Sequence, residues 1–336
     1  MNLTAIICTH NPRCDHLAGA LAGLAVQTGL PQDAEFILLD NCSDVPLAEK
    51  VDMAAFTGFA RARILREERL GLVHARIRAI DAAEGDVLVF VDDDNVLAPS
   101  YLRAALAAFA ADPALGAAGG RSIPRYEVTP PDWFAPLGLS LACRDLGEVP
   151  LWADWSSGQR TYPACAPIGA GMAVRREAAA AWVAAVRGDG ARGGLGRCGM
   201  DLAAGEDNDM VLTLLQAGWR VAYLPRLSLV HQIPASRLAP AYLARYAESA
   251  NRSFVKVLDV HGIRPWPAIP AWTLPLRRAK AYVTTRAWRS PADRIRFRSA
   301  CGLYAGQAAL RAGHGTAKAG AGSAGSAAPG MMEATR

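Results

Sequence analysis

The stretch Val87-Leu88-Val89-Phe90-Val91-Asp92-Asp93-Asp94-Asn95 decides how this chain folds. Five consecutive apolar residues, three of them Val, predict a strand covered on both faces, as in a parallel sheet, rather than one with a solvated side. The run stops abruptly at three carboxylates. Ligands of open α/β sheets bind at the carboxyl ends of the strands, so the same stretch is the first candidate site. Side chains alternate along an extended strand, which predicts that Asp92 and Asp94 point one way and Asp93 the other. Like charges that close repel unless a proton or cation lies between them. All-oxygen ligands suit a hard divalent ion, Mn²⁺ or Mg²⁺, that keeps positions open for phosphate oxygens. A solvated turn that stops the strand and leads into a helix at Pro99 explains the same residues without a ligand.

On either side of this stretch, residues 1–120 repeat short apolar run, polar turn and helical stretch, the rhythm of βα units. Strands are predicted at Thr4–Cys8, Glu35–Asp40, Ala62–Arg66, Asp86–Val91 and Leu115–Gly119. Residues 121–166 lose the rhythm to Pro, Trp and Gly and are too long for a plain connection, predicting either a lid or a poorly ordered insertion. Regular structure resumes at Pro167–Val174, then a helix from Arg175, a Gly-rich loop, a helix over Glu206–Ala217, and strands at Trp219–Leu224 and Leu227–His231. Helices follow Ser236, with a linker at Pro265–Pro275, a helix start at Ser290-Pro291-Ala292-Asp293 and a Gly/Ala/Ser-rich tail from residue 312, predicted to be disordered. The expected division is 1–235 (halves 1–120 and 121–235), a helical basic extension at 236–311, and the tail 312–336.

With 336 residues and 51% hydrophobic content, the chain has ample material for a core, which excludes disorder throughout. Seven scattered Cys show no CxxC pair and no Cys/His cluster at zinc spacing, so neither a disulfide framework nor a zinc module is expected. No basic residue precedes the apolar stretch at residues 3–8 and no run convincingly spans a bilayer, so a reducing, cytoplasmic setting is expected. A formal charge of +5 is too small to imply nucleic acid as partner.

Small hydrogen-bonding residues close the first two strands: Cys8-Thr9-His10-Asn11-Pro12 and Leu39-Asp40-Asn41-Cys42-Ser43-Asp44. They suit a nucleoside, and turn chemistry explains each one equally. Together with Gly71–Arg78, the Asp92-Asp93-Asp94 stretch, Gly169-Ala170-Gly171-Met172-Ala173-Val174-Arg175-Arg176 and Gly205-Glu206-Asp207, they resemble in order and spacing the family 2 glycosyltransferases, inverting enzymes of GT-A fold, from residue 3 to about 232. That resemblance implies an α/β, Rossmann-like, mostly parallel central sheet flanked by helices, here with a helical C-terminal extension. It also implies a nucleotide-sugar donor and a metal at an Asp-x-Asp motif. Thr9, Asn11, Asp40, Arg76, Asp92 and Asp93 would bind the donor; Asp92 and Asp94, with His231, would hold Mn²⁺ or Mg²⁺. Gly171 stands where relatives commonly carry Asn, near the expected sugar pocket.

Glu206-Asp207-Asn208-Asp209 precedes an apolar helix. At about 100° per residue, Asp207 falls inside the stripe of Met210, Val211, Leu214 and Leu215, and Asp209 on the opposite side. An inward carboxylate is either a base that deprotonates an acceptor hydroxyl or ordinary helix N-terminal stabilisation; the resemblance implies the base, with Glu206 second in line. Trp133, Trp152, Trp155 and Tyr162 offer an acceptor-sugar platform or simply pack the insertion. The function these readings support is transfer of a sugar from a nucleoside diphosphate to a glycan or lipid-linked acceptor, in bacterial surface polysaccharide or glycoconjugate synthesis. Nucleotidyl transfer onto a sugar phosphate and a non-catalytic nucleotide- or glycan-binding scaffold are the alternatives.

The +5 also divides along the chain: residues 260–336 carry twelve Lys and Arg against two acids, and residues 1–259 a net of −5. Arg interleaved with Trp272, Tyr282, Trp288, Phe297 and Tyr304 suits peripheral contact with anionic lipid through residues 264–311, at the inner face of the plasma membrane, or else an ordinary solvated helical face.

Overall fold

The computed structural model describes residues 1–199, 202 and 205–310. In chain order the elements are β1 (Leu3–Thr9), α1 (Cys14–Ala25), β2 (Glu35–Asn41), β3 (Arg61–Glu67), α2 (Leu72–Ala82), β4 (Val87–Val91), β5 (Asn95–Leu97), α3 (Tyr101–Ala111) and β6 (Leu115–Tyr126). Then come β7 (Leu151–Ala153), β8 (Ala173–Arg175), α4 (Arg176–Gly188), α5 (Glu206–Gln216), β9 (Arg220–Ile233), α6 (Pro240–Val260), α7 (Leu274–Thr284) and α8 (Pro291–Ala309). The expected tail at 312–336 lies outside the described residues.

β4 is the strand its sequence predicts. All five residues are buried. Leu88 and Phe90 join the core beneath α2, α4 and α5, while Val87, Val89 and Val91 join the core beneath α1 and α3. Each such burial is worth about 1.5–3 kcal/mol, which fixes β4 between two helical layers. The sheet order is β3-β2-β1-β4-β8-β6-β9-β5, with β7 on β9. β1 runs parallel to both β2 and β4, and β2 to β3. Strand order therefore reverses between β1 and β4, and such a switch point leaves a crevice at the strands' carboxyl ends.

Beyond β4 the sheet is mixed: β8 runs antiparallel to both β4 and β6, and β5 antiparallel to β9. Hydrophobic periodicity carries no strand direction, so only the path of residues 127–172 sets it. The two strands expected at Trp219–Leu224 and Leu227–His231 are one, β9. Its pairing with β6 slips, so that Gly119 faces Tyr223 but Arg121 faces Ser228. The irregularity absorbs Pro225, which cannot donate to a ladder. Gly120 makes it possible, since a Cβ there would lie 1.9 Å from the Leu227 carbonyl oxygen.

Helix α8 begins where predicted: the Ser290 hydroxyl accepts from the Asp293 amide at 3.1 Å and donates to its carboxylate at 2.8 Å, with Pro291 in the first turn. The linker expected at Pro265–Pro275 contains a 3-10 turn at Ala271–Thr273 and the start of α7. α8 lies tightly on α6. A Cβ at Gly302 would come within 2.1 Å of the Glu248 carbonyl oxygen, and buried Asn251 donates to Ser299 at 2.7 Å. No helix among the described residues is long and apolar enough to cross a membrane.

Candidate active site

A cleft of about 500 Å³ opens at the switch point. Its floor is the ends of β1 and β4; its walls are the start of α5, α6 through Tyr242, Tyr246 and Phe254, and the segment Leu139–Ala142. Thr9, Asn11, Arg76, Asp92, Asp93, Asp94, Glu206, Asp207 and His231, nine of the ten residues singled out from sequence, line it. These positions are up to 222 residues apart in the chain and meet where the ends of β1 and β4 are joined by Arg76 of α2, the start of α5 and His231 of β9.

Asp40 is the tenth, and it stands behind the wall. Its carboxylate accepts from the amides of Ser43 at 2.9 Å and Leu47 at 3.1 Å and from Arg66 at 3.0 Å. Burial alone would raise its proton affinity, but these donors outweigh it and hold the carboxyl below its ordinary range. The neighbouring Asn41, part of the same strand-end stretch but given no role of its own, lines the cleft; its side chain accepts from Gly71 at 2.8 Å and donates to the Arg69 carbonyl at 2.8 Å. An Asn that closes a second strand beside an Asp was its only signal, indistinguishable from turn chemistry. Asn11 exchanges hydrogen bonds with Asp44, and its backbone amide donates to the Ser43 hydroxyl, locking the β1 and β2 ends together.

The alternation expected of Asp92, Asp93 and Asp94 does not survive the strand end. The Asn95 amide donates to the Asp92 carbonyl at 2.9 Å, closing a turn, and all three Asp residues line the cleft. Thr9 donates to Asp93. Burial, then the Asp94 charge, pushes Asp93 up to about 6 and also raises Asp92. Asp94 goes the other way. Burial opposes it, yet the hydrogen bond from His231 and the charge of Arg237 pull it down to about 2. His231 Nε2 lies 3.2 Å from Asp94 Oδ1 and Arg237 NH2 2.9 Å from Oδ2. Reciprocally, burial would lower His231 but the Asp94 bond lifts it to about 9. Its other nitrogen lies 3.6 Å from Cys143 Sγ, so both ring nitrogens are engaged here.

Arg76 is the buried cation of the floor, 2% exposed. Its guanidinium carbon lies 5.1 Å from the Phe90 ring centre, and NH1 is 3.7 Å from Glu206 Oε1. That NH1 has no hydrogen-bond partner among the described residues, a buried donor that an anionic group would satisfy.

The helix-wheel assignment at the α5 start is corrected in part. Asp209, expected on the outer side, is 1% exposed and bonded to Trp182 Nε1 at 2.9 Å and His261 Nε2 at 2.8 Å; it ties α5 to α4 and α6. A wheel assumes one apolar neighbour, whereas this helix start is covered on several sides. Asp207 is half-buried on the cleft wall, with Oδ2 accepting from the Gly169 amide at 2.9 Å and Oδ1 from the Asn208 amide at 2.8 Å. Glu206 is 6% exposed, and burial raises its proton affinity against the pull of Arg76.

Tyr162 alone of the four insertion aromatics reaches the cleft, donating to Asn208 and packing edge-on against Phe254. Trp152 stacks with Arg220 and Trp155 donates to the Thr161 carbonyl. Gly171 does not line the cleft: at φ +72 its backbone passes so close to Leu229 and Tyr101 that a Cβ would clash with both. Backbone geometry requires the Gly.

For a divalent cation the donors at hand are the carboxylates of Asp92 and Asp94; His231, expected as a third ligand, has Nε2 on Asp94 and Nδ1 beside Cys143 Sγ. Among the described residues no group of three or more His, Cys, Asp or Glu stands at metal-ligand spacing. Asp92, whose charge is raised in energy by Asp94, and the remaining lone pairs of Asp94 fit a hard ion that completes its shell with phosphate oxygens and water.

The model of the family described as Glycosyl transferase family 2 matches residues 4–145, and that of Glycosyl transferase family group 2 matches residues 87–272. The succinoglycan biosynthesis protein ExoM of Rhizobium meliloti (strain 1021) is 27% identical over 238 residues, 69% of this chain and 68% of that protein. Two solved structures share the fold at low identity. TarS 1–349 of S. aureus in complex with UDP-GlcNAc is 12% identical, with 90% of each chain covered and a TM-score of 0.50. GalNAc-T7 with UDP, GalNAc and Mn²⁺ is 16% identical, covering 91% of this chain and 55% of that one, with a TM-score of 0.52. A curled mixed sheet flanked by helices, a cleft at its switch point, and a family match across more than half its length together make this chain a member of glycosyl transferase family 2, with the GT-A fold.

Proposed function

We propose that the chain transfers a sugar from a nucleoside diphosphate to an acceptor hydroxyl with inversion, in the synthesis of a surface polysaccharide or glycoconjugate at the cytoplasmic side of a membrane. The observation that carries this reading is the meeting, in one cleft, of the Asp92/Asp94 pair, Arg76, whose NH1 lacks a hydrogen-bond partner among the described residues, and Asp207. Asp92 and Asp94 would hold Mn²⁺ or Mg²⁺, which supplies Lewis acidity toward the departing diphosphate. His231 and Arg237 orient Asp94, and Arg76 offers its free N–H to the donor. Thr9, Asn11 and Asp93 line the nucleoside side, with Asp40 bracing it from behind. Asp207, held by two backbone amides, takes the acceptor's proton as the hydroxyl oxygen bonds the anomeric carbon and the bond to the diphosphate breaks. Glu206, buried against Arg76, steadies the charge balance. The relative in succinoglycan biosynthesis supports the polysaccharide setting, and the complexes of structural neighbours with UDP-GlcNAc and Mn²⁺ support the donor and ion.

Purified protein with a panel of UDP-, GDP- and dTDP-sugars and Mn²⁺ tests this. Released nucleoside diphosphate, lost with EDTA and reduced at least about 100-fold in Asp94→Asn, is the expected result. Pyrophosphate release would point to nucleotidyl transfer, and nucleotide binding without any release to a scaffold.

A further inference from the structure

Helix α7 wears its apolar residues on the outside. Ala281 is its single buried residue. At about 100° per residue, Trp272, Leu276, Ala279 and Val283 align on the face opposite Ala281. Trp272 is 76% exposed, Leu276 69% and Val283 61%, and the exposed Tyr282 and Trp288 extend the patch. Exposed large apolar side chains are ordinary when scattered singly, but a contiguous row marks an interface.

Charge selects the occupant. Residues 274–298 contain eight Lys or Arg and one acid, Asp293. Arg278, Lys280, Arg286 and Arg289 are exposed around the row, whereas Arg296 and Arg298, on α8, are paired with Asp293 and Glu248. A second copy of this chain seated face to face would set these cations against themselves. An anionic bilayer accepts both features at once: apolar side chains enter the boundary between headgroups and acyl chains, Trp and Tyr sit at that level, and cations stay among the phosphates. We propose that α7, with Trp272 and Trp288 at its ends, lies flat on an anionic membrane and docks the protein there.

The placement has a consequence for the cleft. α7 packs on α8, α8 is locked to α6 through Gly302 and the Asn251–Ser299 bond, and α6 forms a cleft wall. A membrane bound by α7 therefore stands at a fixed height from the cleft, which suits an acceptor carried in that membrane. Docking itself is independent of the transfer chemistry.

The test is co-sedimentation of the full chain with vesicles of phosphatidylcholine, with and without phosphatidylglycerol, at low and physiological salt. Binding is expected only with phosphatidylglycerol, weakening with salt. Leu276→Asp with Val283→Asp removes it, and Arg278→Gln and Lys280→Gln each weaken it about 5-fold. All four side chains are exposed, so melting temperature is expected to hold; should the Asp pair fail to fold, the Gln pair still tests the charge requirement. Equal binding to neutral vesicles, absence of binding to either, or undiminished binding by the Asp or Gln pairs would overturn the proposal. So would a dimer in analytical ultracentrifugation that Leu276→Asp dissociates while wild-type protein ignores vesicles.

Discussion

Asp207→Asn separates a catalytic base from a carboxylate that merely stabilises a helix start. Two backbone amides, Gly169 at 2.9 Å and Asn208 at 2.8 Å, donate to the two carboxylate oxygens. An Asn offers one oxygen and one NH₂, so one of those amides loses its acceptor and meets a donor. Leaving a buried polar group unsatisfied costs about 1–3 kcal/mol, and the lower end applies because Asp207 is half-exposed to the cleft and water reaches it. A positioned general base contributes about 10²–10⁴-fold to rate, equivalent to about 3–5 kcal/mol of barrier. The variant is therefore expected to stay folded, to melt a few degrees lower, to bind nucleoside diphosphate with Kd within about threefold of wild type, and to lose kcat by at least about 100-fold. Calorimetric titration with the nucleotide and a coupled assay of diphosphate release, run on the same preparation, give both numbers. A kcat within tenfold of wild type would refute the base assignment and return Asp207 to the role of helix-start anion. A lost nucleotide Kd with proportionate loss of kcat would move it into the donor site.

Three further expectations rest on other parts of the molecule. Arg76→Met leaves Glu206 and Asp92 without their buried cation, and removing one partner of such a pair costs about 3–5 kcal/mol; the 3.7 Å separation from Glu206 places the expected loss near the low end, read by urea unfolding, and a loss under about 1 kcal/mol would contradict the charge balance described. Gly302→Leu drives a side chain into the Glu248 carbonyl, 2.1 Å from where its Cβ must sit, and is expected to destabilise by about 3 kcal/mol or to detach α8; an unchanged melt would mean α6 and α8 are not in contact. Cys8 lines the cleft, but burial pushes its thiol up to about 12, so hardly any thiolate exists at neutral pH. Iodoacetamide at pH 7.5 is expected to label the exposed Cys14 and Cys198 and to spare Cys8, as read by peptide mass; rapid alkylation of Cys8 would show the floor to be open.

The β1 to β4 half of the fold was legible in sequence because its signals are local: continuous apolar runs under two helical layers, and polar punctuation between them. Thr9, Asn11, the three Asp residues, Glu206, Asp207 and His231 were legible because each lies at or beside the end of a predicted element, where the crevice gathers such ends, whereas Arg76, inside α2, was singled out only through the family resemblance. What misled was the assumption of ideal geometry. The strand pattern was extended one turn too far through Asp92–Asp94, and the wheel assigned Asp209 to solvent although α4 and α6 cover it. Asp40 and Asn41 are adjacent and chemically alike, and only the turn at Ser43–Leu47 determines which of them meets the cleft.

By itself the sequence determined the element types, the buried character of β4 and the gathering of acids at strand ends, because these follow from side-chain chemistry and periods of two or about 3.6. Tertiary structure alone decided strand direction beyond β4, the pairing of Asp94 with His231 and Arg237, and the outward face of α7. Each depends on which segment arrives beside which. An apolar stripe on a helix reads the same whether it meets a core or a membrane, and only the burial of Ala281 in a helix that packs on α8 shows which face was left over.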